Sequence, residues 1–199
     1  MNNEENILRE KILTFIRLYH DTVKNWITLH TNDKTILVSD IIKYYMGWYN
    51  NELNEKILIR ILLGYAIDNF IKSLFKQFSN TYDSSLRILQ TQFMNYVILG
   101  AIDIIQYNNL TNEYTLIEVK SSNSVKFHHT LQAKIYHWIA KRQFQTDKIK
   151  TFVLVINKDD IIVKQIHYSN VDDNHITQLI RDYIIAHNLP NTHKKPKDL

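Results

Sequence analysis

An aspartate, a glutamate and a lysine stand in an order that can gather oxygen ligands around a divalent cation: Gly100-Ala-Ile-Asp103, then fourteen residues, then Glu118-Val-Lys120. In a strand, residues two apart share a face, so Glu118 and Lys120 project together while Val119 turns to the opposite side. Turn-forming residues from Asn108 to Asn112 fold the chain into a hairpin that lays Asp103 beside Glu118. Two carboxylates brought together repel unless a cation neutralises them, and magnesium or manganese accepts oxygen ligands of this type. The backbone carbonyl of Val119 is a further candidate ligand. Lys120 is then placed to orient an attacking water or to offset charge growing on a phosphate, so no side-chain nucleophile is needed.

Each piece alone has a plainer reading. Glu-x-Lys is common on exposed strand faces as a solvated charge pair, and Ile-Asp is ordinary at a strand end. The neighbours argue otherwise: Leu116, Ile117 and Val119 surround the glutamate, while Ile102, Ile104 and Ile105 surround the aspartate. Such dressing predicts central strands with carboxylates at a partly buried site, where unpartnered charge is costly.

The elements that must hold these residues follow from periodicity. Ile7, Leu8, Ile12, Phe15, Ile16, Tyr19, Val23 and Trp26 mark an amphipathic helix over Glu5 to His30. Ser39 is a candidate N-cap for a short helix carrying Ile41, Ile42 and Tyr45, which Gly47 can end. Ile57, Ile61, Tyr65, Ile71 and Phe75 predict a second long helix over Glu55 to Phe78. The period then changes, and Leu86 to Met94, Tyr96 to Tyr107 and Tyr114 to Lys120 read as strands. A helix is expected from about Thr130 to Phe144 with Leu131, Ile135, Trp138 and Ile139 on its buried side. Lys150 to Ile156 and Ile161 to Tyr168 form a hairpin turning at Asn157 to Asp160, and Asn174 to His187 makes the last helix. This order implies an α/β fold, a central mixed β-sheet flanked by helices with a helical N-terminal region.

At 199 residues and 45% hydrophobic content, one domain over 1–190 is expected, with a helical part to about 80, a core over about 81–168 and a disordered basic tail at 191–199. No run of residues is apolar enough to span a bilayer, and the polar, acidic start lacks the features of a signal peptide, which leads to the expectation of a cytoplasmic protein. The absence of cysteine excludes disulfides, thiolate zinc sites, a cysteine nucleophile and a cysteine-ligated iron–sulfur cluster. A net charge of +4 helps approach to a polyanion without being a strong nucleic-acid signature. The abundance of Asn, Ile, Lys and Tyr reflects an AT-rich coding sequence, as in some viruses, and carries no chemical information.

With the helix motif Gln132-Ala-Lys-Ile-Tyr136 added, Gly100-Ala-Ile-Asp103 and Glu118-Val-Lys120-Ser121-Ser122 stand in an order that resembles the PD-(D/E)XK nuclease superfamily. Within it, the similarity is to the branch containing the nuclease domain of RecB and the CRISPR spacer-adaptation nucleases, and it runs from roughly Val38 to Ile156. The resemblance implies a restriction-endonuclease-like core, a Mg2+ or Mn2+ cofactor and hydrolysis of DNA phosphodiesters, by exonuclease or endonuclease action on single strands or ends. It gives Gln132 and Tyr136 a role in holding the phosphate backbone and the lysine; independently, their spacing of four puts them on one helical face beside Leu131, Ile135 and Ile139. A surface amide and an amphipathic tyrosine are the competing reading. An alternative for the whole chain is a nucleic-acid-binding protein that keeps the fold without the activity.

Two departures from the branch stand out. Where it has Gly-x-x-x-His with a metal-binding histidine, this chain has Gly64-Tyr-Ala-Ile-Asp68. Asp68 is either a substitute acidic ligand or the partner of Lys72 one turn on. The adaptation nucleases also hold an iron–sulfur cluster through cysteines near a segment like Val38-Ser-Asp-Ile-Ile, and here the segment is present without them. The similarity is therefore to cluster-free members, such as those of viruses, whose setting would be the host cytoplasm. Weaker candidates for DNA contact are Ser121 and Ser122 after the catalytic strand, His128 and His129 in the loop that follows, and Arg87, Lys126 and Lys134.

Overall fold

The computed structural model describes residues 3–30, 34–48, 55–78 and 88–188. Two long helices open the chain, α1 (Asn3–His30) and α3 (Glu55–Phe78), with β1 (Thr35–Leu37) and α2 (Val38–Met46) between them. Among the described side chains of α1, Leu13 and Ile16 are buried and pack with Leu58 of α3. The expected stripe is kept at Ile16 and not at Ile7, Ile12 and Phe15, which remain exposed; the side chains of Leu8, Tyr19, Val23 and Trp26 lie outside those described. Gly47 ends α2 in the left-handed conformation as expected, but Ser39 is not the cap. The helix begins one residue before it, at Val38, whose side chain is buried in the core. None of the helices described is long and apolar enough to cross a membrane.

The remaining elements are β2 (Ile88–Phe93), β3 (Tyr96–Ala101), β4 (Ile104–Asn108), β5 (Glu113–Ser121), α4 (Phe127–Phe144), β6 (Ile149–Ile156), β7 (Ile161–Ile166) and α5 (Asn170–Asn188). They form two sheets, ordered β1-β3-β2 and β4-β5-β6-β7. Both are mixed: β1 runs parallel to β3 and β5 parallel to β6, while the hairpins β2-β3, β4-β5 and β6-β7 are antiparallel. The α/β class and the flanking helices match the expectation and are consistent with a restriction-endonuclease-like fold.

The single strand expected from Tyr96 to Tyr107 is broken at Ile102-Asp103, and the physical cause is a slip in alternation. Ile98 and Ile102 face the main core with α2, α4 and α5, but after Asp103 it is Ile105 that faces this core. Ile104 instead joins Ile71, Val119 and Leu154 under α3. One residue too many for a period of two forces the chain to turn and change sheets at Asp103. On β5, alternation is strict: Leu116 faces the α4 side, and Val119 the α3 side.

The helix α4 crosses between the parallel strands β5 and β6, and it begins at Phe127, three residues earlier than expected. All four residues assigned to its inner side are buried, with Tyr136 and His137 beside them. Its first turn is stabilised by the side chain of His129, whose Nδ1 accepts the backbone N–H of Lys126 at 3.2 Å.

Candidate functional site

The break between β3 and β4 leaves an opening along β5. Pairing ends with Ile104 opposite Ile117, so continued register would have set Ile102 against Val119. In its place the Val119 N–H donates to Oδ2 of Asp103 at 2.7 Å. A carboxylate thus substitutes for a ladder carbonyl and is fixed at the end of β4. The carbonyl of an extended residue faces the same edge as its N–H, which turns the Val119 oxygen toward this opening as well.

Glu118 is only 3% exposed, and its Oε1 accepts from Lys120 Nζ at 2.5 Å. Burial alone would lower the Lys120 ammonium, but Glu118, Asp103 and Asp68 together hold it above the ordinary lysine value. It is charged at neutral pH. Burial, with Glu118 adding to it, pushes Asp103 up to about 6. Asp68 is raised first by burial and then by Asp103, against the opposing pull of Lys72. Its second oxygen is paired with Lys72, which also reaches Oδ1 of Asp103 at 3.4 Å. Three acidic side chains and two lysines therefore share one region, and Lys72 belongs to it. Lys72 is more than a rival partner for Asp68: the spacing of four residues on α3 that pairs the two also turns Lys72 toward Asp103.

Two buried oxygens here lack a hydrogen-bond partner among the described residues: Oε2 of Glu118 and Oδ1 of Asp68. An unpaired buried carboxylate oxygen is costly, and a hard divalent cation is one partner that removes the cost. The donor set fits such an ion in kind. In placement it is not a finished shell, since among the described residues no three carboxylate or imidazole groups converge as metal ligands. The lysines account for this, because Lys120 takes one oxygen of Glu118 and Lys72 draws on both aspartates.

Gly100 and the α4 motif build the wall. A Cβ at Gly100 would lie 2.5 Å from Tyr136 Cε1 and 2.8 Å from Val38 Cγ2, so only glycine allows the ring this close to β3. Gln132 Nε2 donates to the Tyr136 hydroxyl at 2.9 Å, and that hydroxyl donates to the carbonyl of Ala101 at 3.0 Å. Burial, and after it the charge of Glu118, raises Tyr136 well above its ordinary value and keeps it protonated. Tyr136 is thereby tied to the backbone two residues before Asp103. Gln132 is tied to Tyr136.

The other candidates separate. Ser121 is exposed at the end of β5, where Gly64 of α3 approaches its hydroxyl. Ser122 donates to the carbonyl of Ser124 and serves the turn. His128 and His129 lie in the first turn of α4, not in a loop. His129 is buried, and burial together with His128, Lys120 and Lys126 lowers it to about 4, so it is a neutral helix-start residue with no free face for phosphate. His128 is half-buried, and Lys126 is exposed. Lys134 is held in an ion pair with Asp172 of α5. Arg87 and the tail after Pro190 lie outside the described residues.

No protein-family model matches the chain, and no curated protein matches it by sequence. Solved structures do resemble it in shape. A protein called SSO0001 is 22% identical with a TM-score of 0.59, over 92% of this chain and 88% of its own. A protein from Eubacterium rectale carrying the name "Putative exonuclease" is 12% identical with a TM-score of 0.51, over 88% of this chain and 95% of its own. At these identities the likeness is one of fold, and it extends over nearly the whole length of all three chains.

Proposed function

We propose that the chain is a nuclease of the RecB-like PD-(D/E)XK type without an iron–sulfur cluster, hydrolysing DNA phosphodiesters at single strands or ends with Mg2+ or Mn2+. The observation that carries this reading is the pair Asp103 and Glu118 at the strand break, one carboxylate fixed by the Val119 N–H and the other left with an unpaired buried oxygen beside Lys120. The three ordered motifs support it, as does the fold shared with the protein that carries the name "Putative exonuclease".

In this reading Asp103, Glu118, the Val119 carbonyl and Asp68 hold the ion. When bound it supplies Lewis-acid polarisation of the phosphate and lowers the pKa of water. The Lys120 ammonium orients the attacking water and offsets charge building on the phosphate oxygens. Tyr136, held by Gln132, fixes the backbone around Ala101 and with it the position of Asp103. For Asp68 and Asp103 to serve as ligands, Lys72 would have to give up part of its hold on both. That same contact favours a second reading, an inactive nucleic-acid-binding protein in which Lys72 permanently replaces the cation.

Labelled single-stranded and duplex DNA, incubated with magnesium, manganese or chelator, distinguishes the two. The nuclease reading expects cleavage only with a divalent ion and a loss of about 100-fold or more in Lys120→Ala. Binding without cleavage under every condition selects the inactive reading, and cleavage undiminished in Lys120→Ala removes the site assignment.

A further inference from the structure

Where the C-terminal end of α2 meets the start of α4, four aromatic rings gather at the surface. Tyr45 and Phe127 stack with ring centroids 6.1 Å apart, and Trp48 meets His128 edge-on at 4.8 Å. Among the described residues these rings are poorly covered: Tyr45 is 43% exposed, Trp48 44% and Phe127 58%. Large aromatic side chains left open together are a surface awaiting something flat or apolar.

The charge around them narrows the choice. Lys126 is exposed next to Phe127, and the first turn of α4 carries no acidic residue. Phe127 and His128 stand about one turn of α4 before Gln132, whose amide holds Tyr136 in the wall of the proposed active site, which places the rings at the edge of that site. Exposed aromatic faces beside a lysine, with no acidic residue in the turn, suit a polyanion whose units carry their own rings. In a duplex the bases are already stacked on each other and offer only their edges, whereas an unpaired base can lie on an exposed side-chain ring.

We propose that Tyr45, Trp48, Phe127 and His128 form a base-stacking platform that receives an unpaired nucleic-acid strand and leads it toward Lys120. The proposal deepens the nuclease reading and rests on it for the identity of the ligand. An apolar segment of a protein partner is the rival occupant, and it differs in needing apolar area without a flat ring.

The test is fluorescence anisotropy with a labelled oligothymidylate of about 15 nucleotides, and with a duplex of the same length, in chelator so that nothing is cut. The variants are Trp48→Leu and Phe127→Leu, which keep apolar bulk and remove the flat ring, and Phe127→Tyr, which keeps it. Each leucine variant is expected to weaken single-strand binding by about tenfold, with duplex binding changed less than about twofold and Phe127→Tyr close to the parent. Single-strand binding unchanged in both leucine variants overturns the platform, as does an equal loss on duplex. Parallel cleavage with manganese separates the two levels of inference. A parent that cuts, with leucine variants that bind normally, removes the platform alone. Weaker single-strand binding in the leucine variants, with no cutting by the parent, retains the platform and removes the nuclease reading.

Discussion

The helix α4 separates two polar regions that treat charge in opposite ways. Toward α5, the charged groups between the two helices are paired: Lys134 with Asp172, and Arg142 with Asp173 through both terminal guanidinium nitrogens at 3.2 and 3.0 Å. Tyr168 adds a hydrogen bond to Asp173, Ser169 closes on Asp172, and Arg142 lies over the Trp138 ring at 3.8 Å. The Arg142 guanidinium holds Asp173 below the usual carboxylate range. Toward β5, the same kinds of residue leave two oxygens unpaired, and burial raises Asp68 and Asp103 above that range. A closed network stabilises the fold. One kept open, with raised carboxylates beside a charged lysine, is what a site awaiting a cation and a substrate requires.

The contrast can be broken first through packing. Gly100→Ala would drive a methyl into Tyr136 and Val38, which cannot both retreat from a filled core. The expected cost is about 3 kcal/mol of stability, read by denaturant unfolding, together with loss of cleavage as Tyr136 shifts. An alanine variant as stable as the parent would mean that the wall is looser than the geometry shows.

A smaller effect sharpens the contrast because it changes sign between the regions. Asp173→Asn weakens the bidentate contact with Arg142 and should cost about 2 kcal/mol. Asp103→Asn in chelator should instead stabilise the protein at pH 8, by an amount on the order of 2 kcal/mol. The sign follows from linkage: the folded value of about 6 lies above the ordinary 3.8, so in that window the folded chain binds more protons than the unfolded one. Stability contributed by protonated Asp103 is present below 3.8 and is lost as pH rises through about 6. The advantage of the asparagine variant should therefore appear between those values and vanish in acid. Unfolding curves of both variants across pH check this, and a destabilised Asp103→Asn at pH 8 would show its charge to be well satisfied.

Much of this was legible beforehand. Glu118 and Lys120 could be placed together because the period of two on β5 is unbroken, and Gln132 and Tyr136 because one helical turn separates them. The limits of α3 and the hairpin at Asn157 were likewise set by local patterns. What escaped the sequence depended on distant contacts. The consecutive isoleucines 104 and 105 did signal a parity slip, but they are equally compatible with a buried strand, and only the second sheet decides between them. The true start of α4 was hidden because His129, an unusual residue for that position, supplies the contact to Lys126. The role of Lys134 was set by Asp172, thirty-eight residues away in sequence. The placement of Lys72 against Asp103 required knowing that α3 crosses the end of β4.

The proposed function requires that the carboxylates held open at the strand break bind a divalent ion. Titration of the protein with Mn2+, followed by calorimetry, addresses it without reference to cleavage. The account predicts one site, weakened at least about tenfold in Asp103→Asn and in Glu118→Gln and retained in Asp173→Asn. No binding in the parent, or equal affinity in all four proteins, would contradict it.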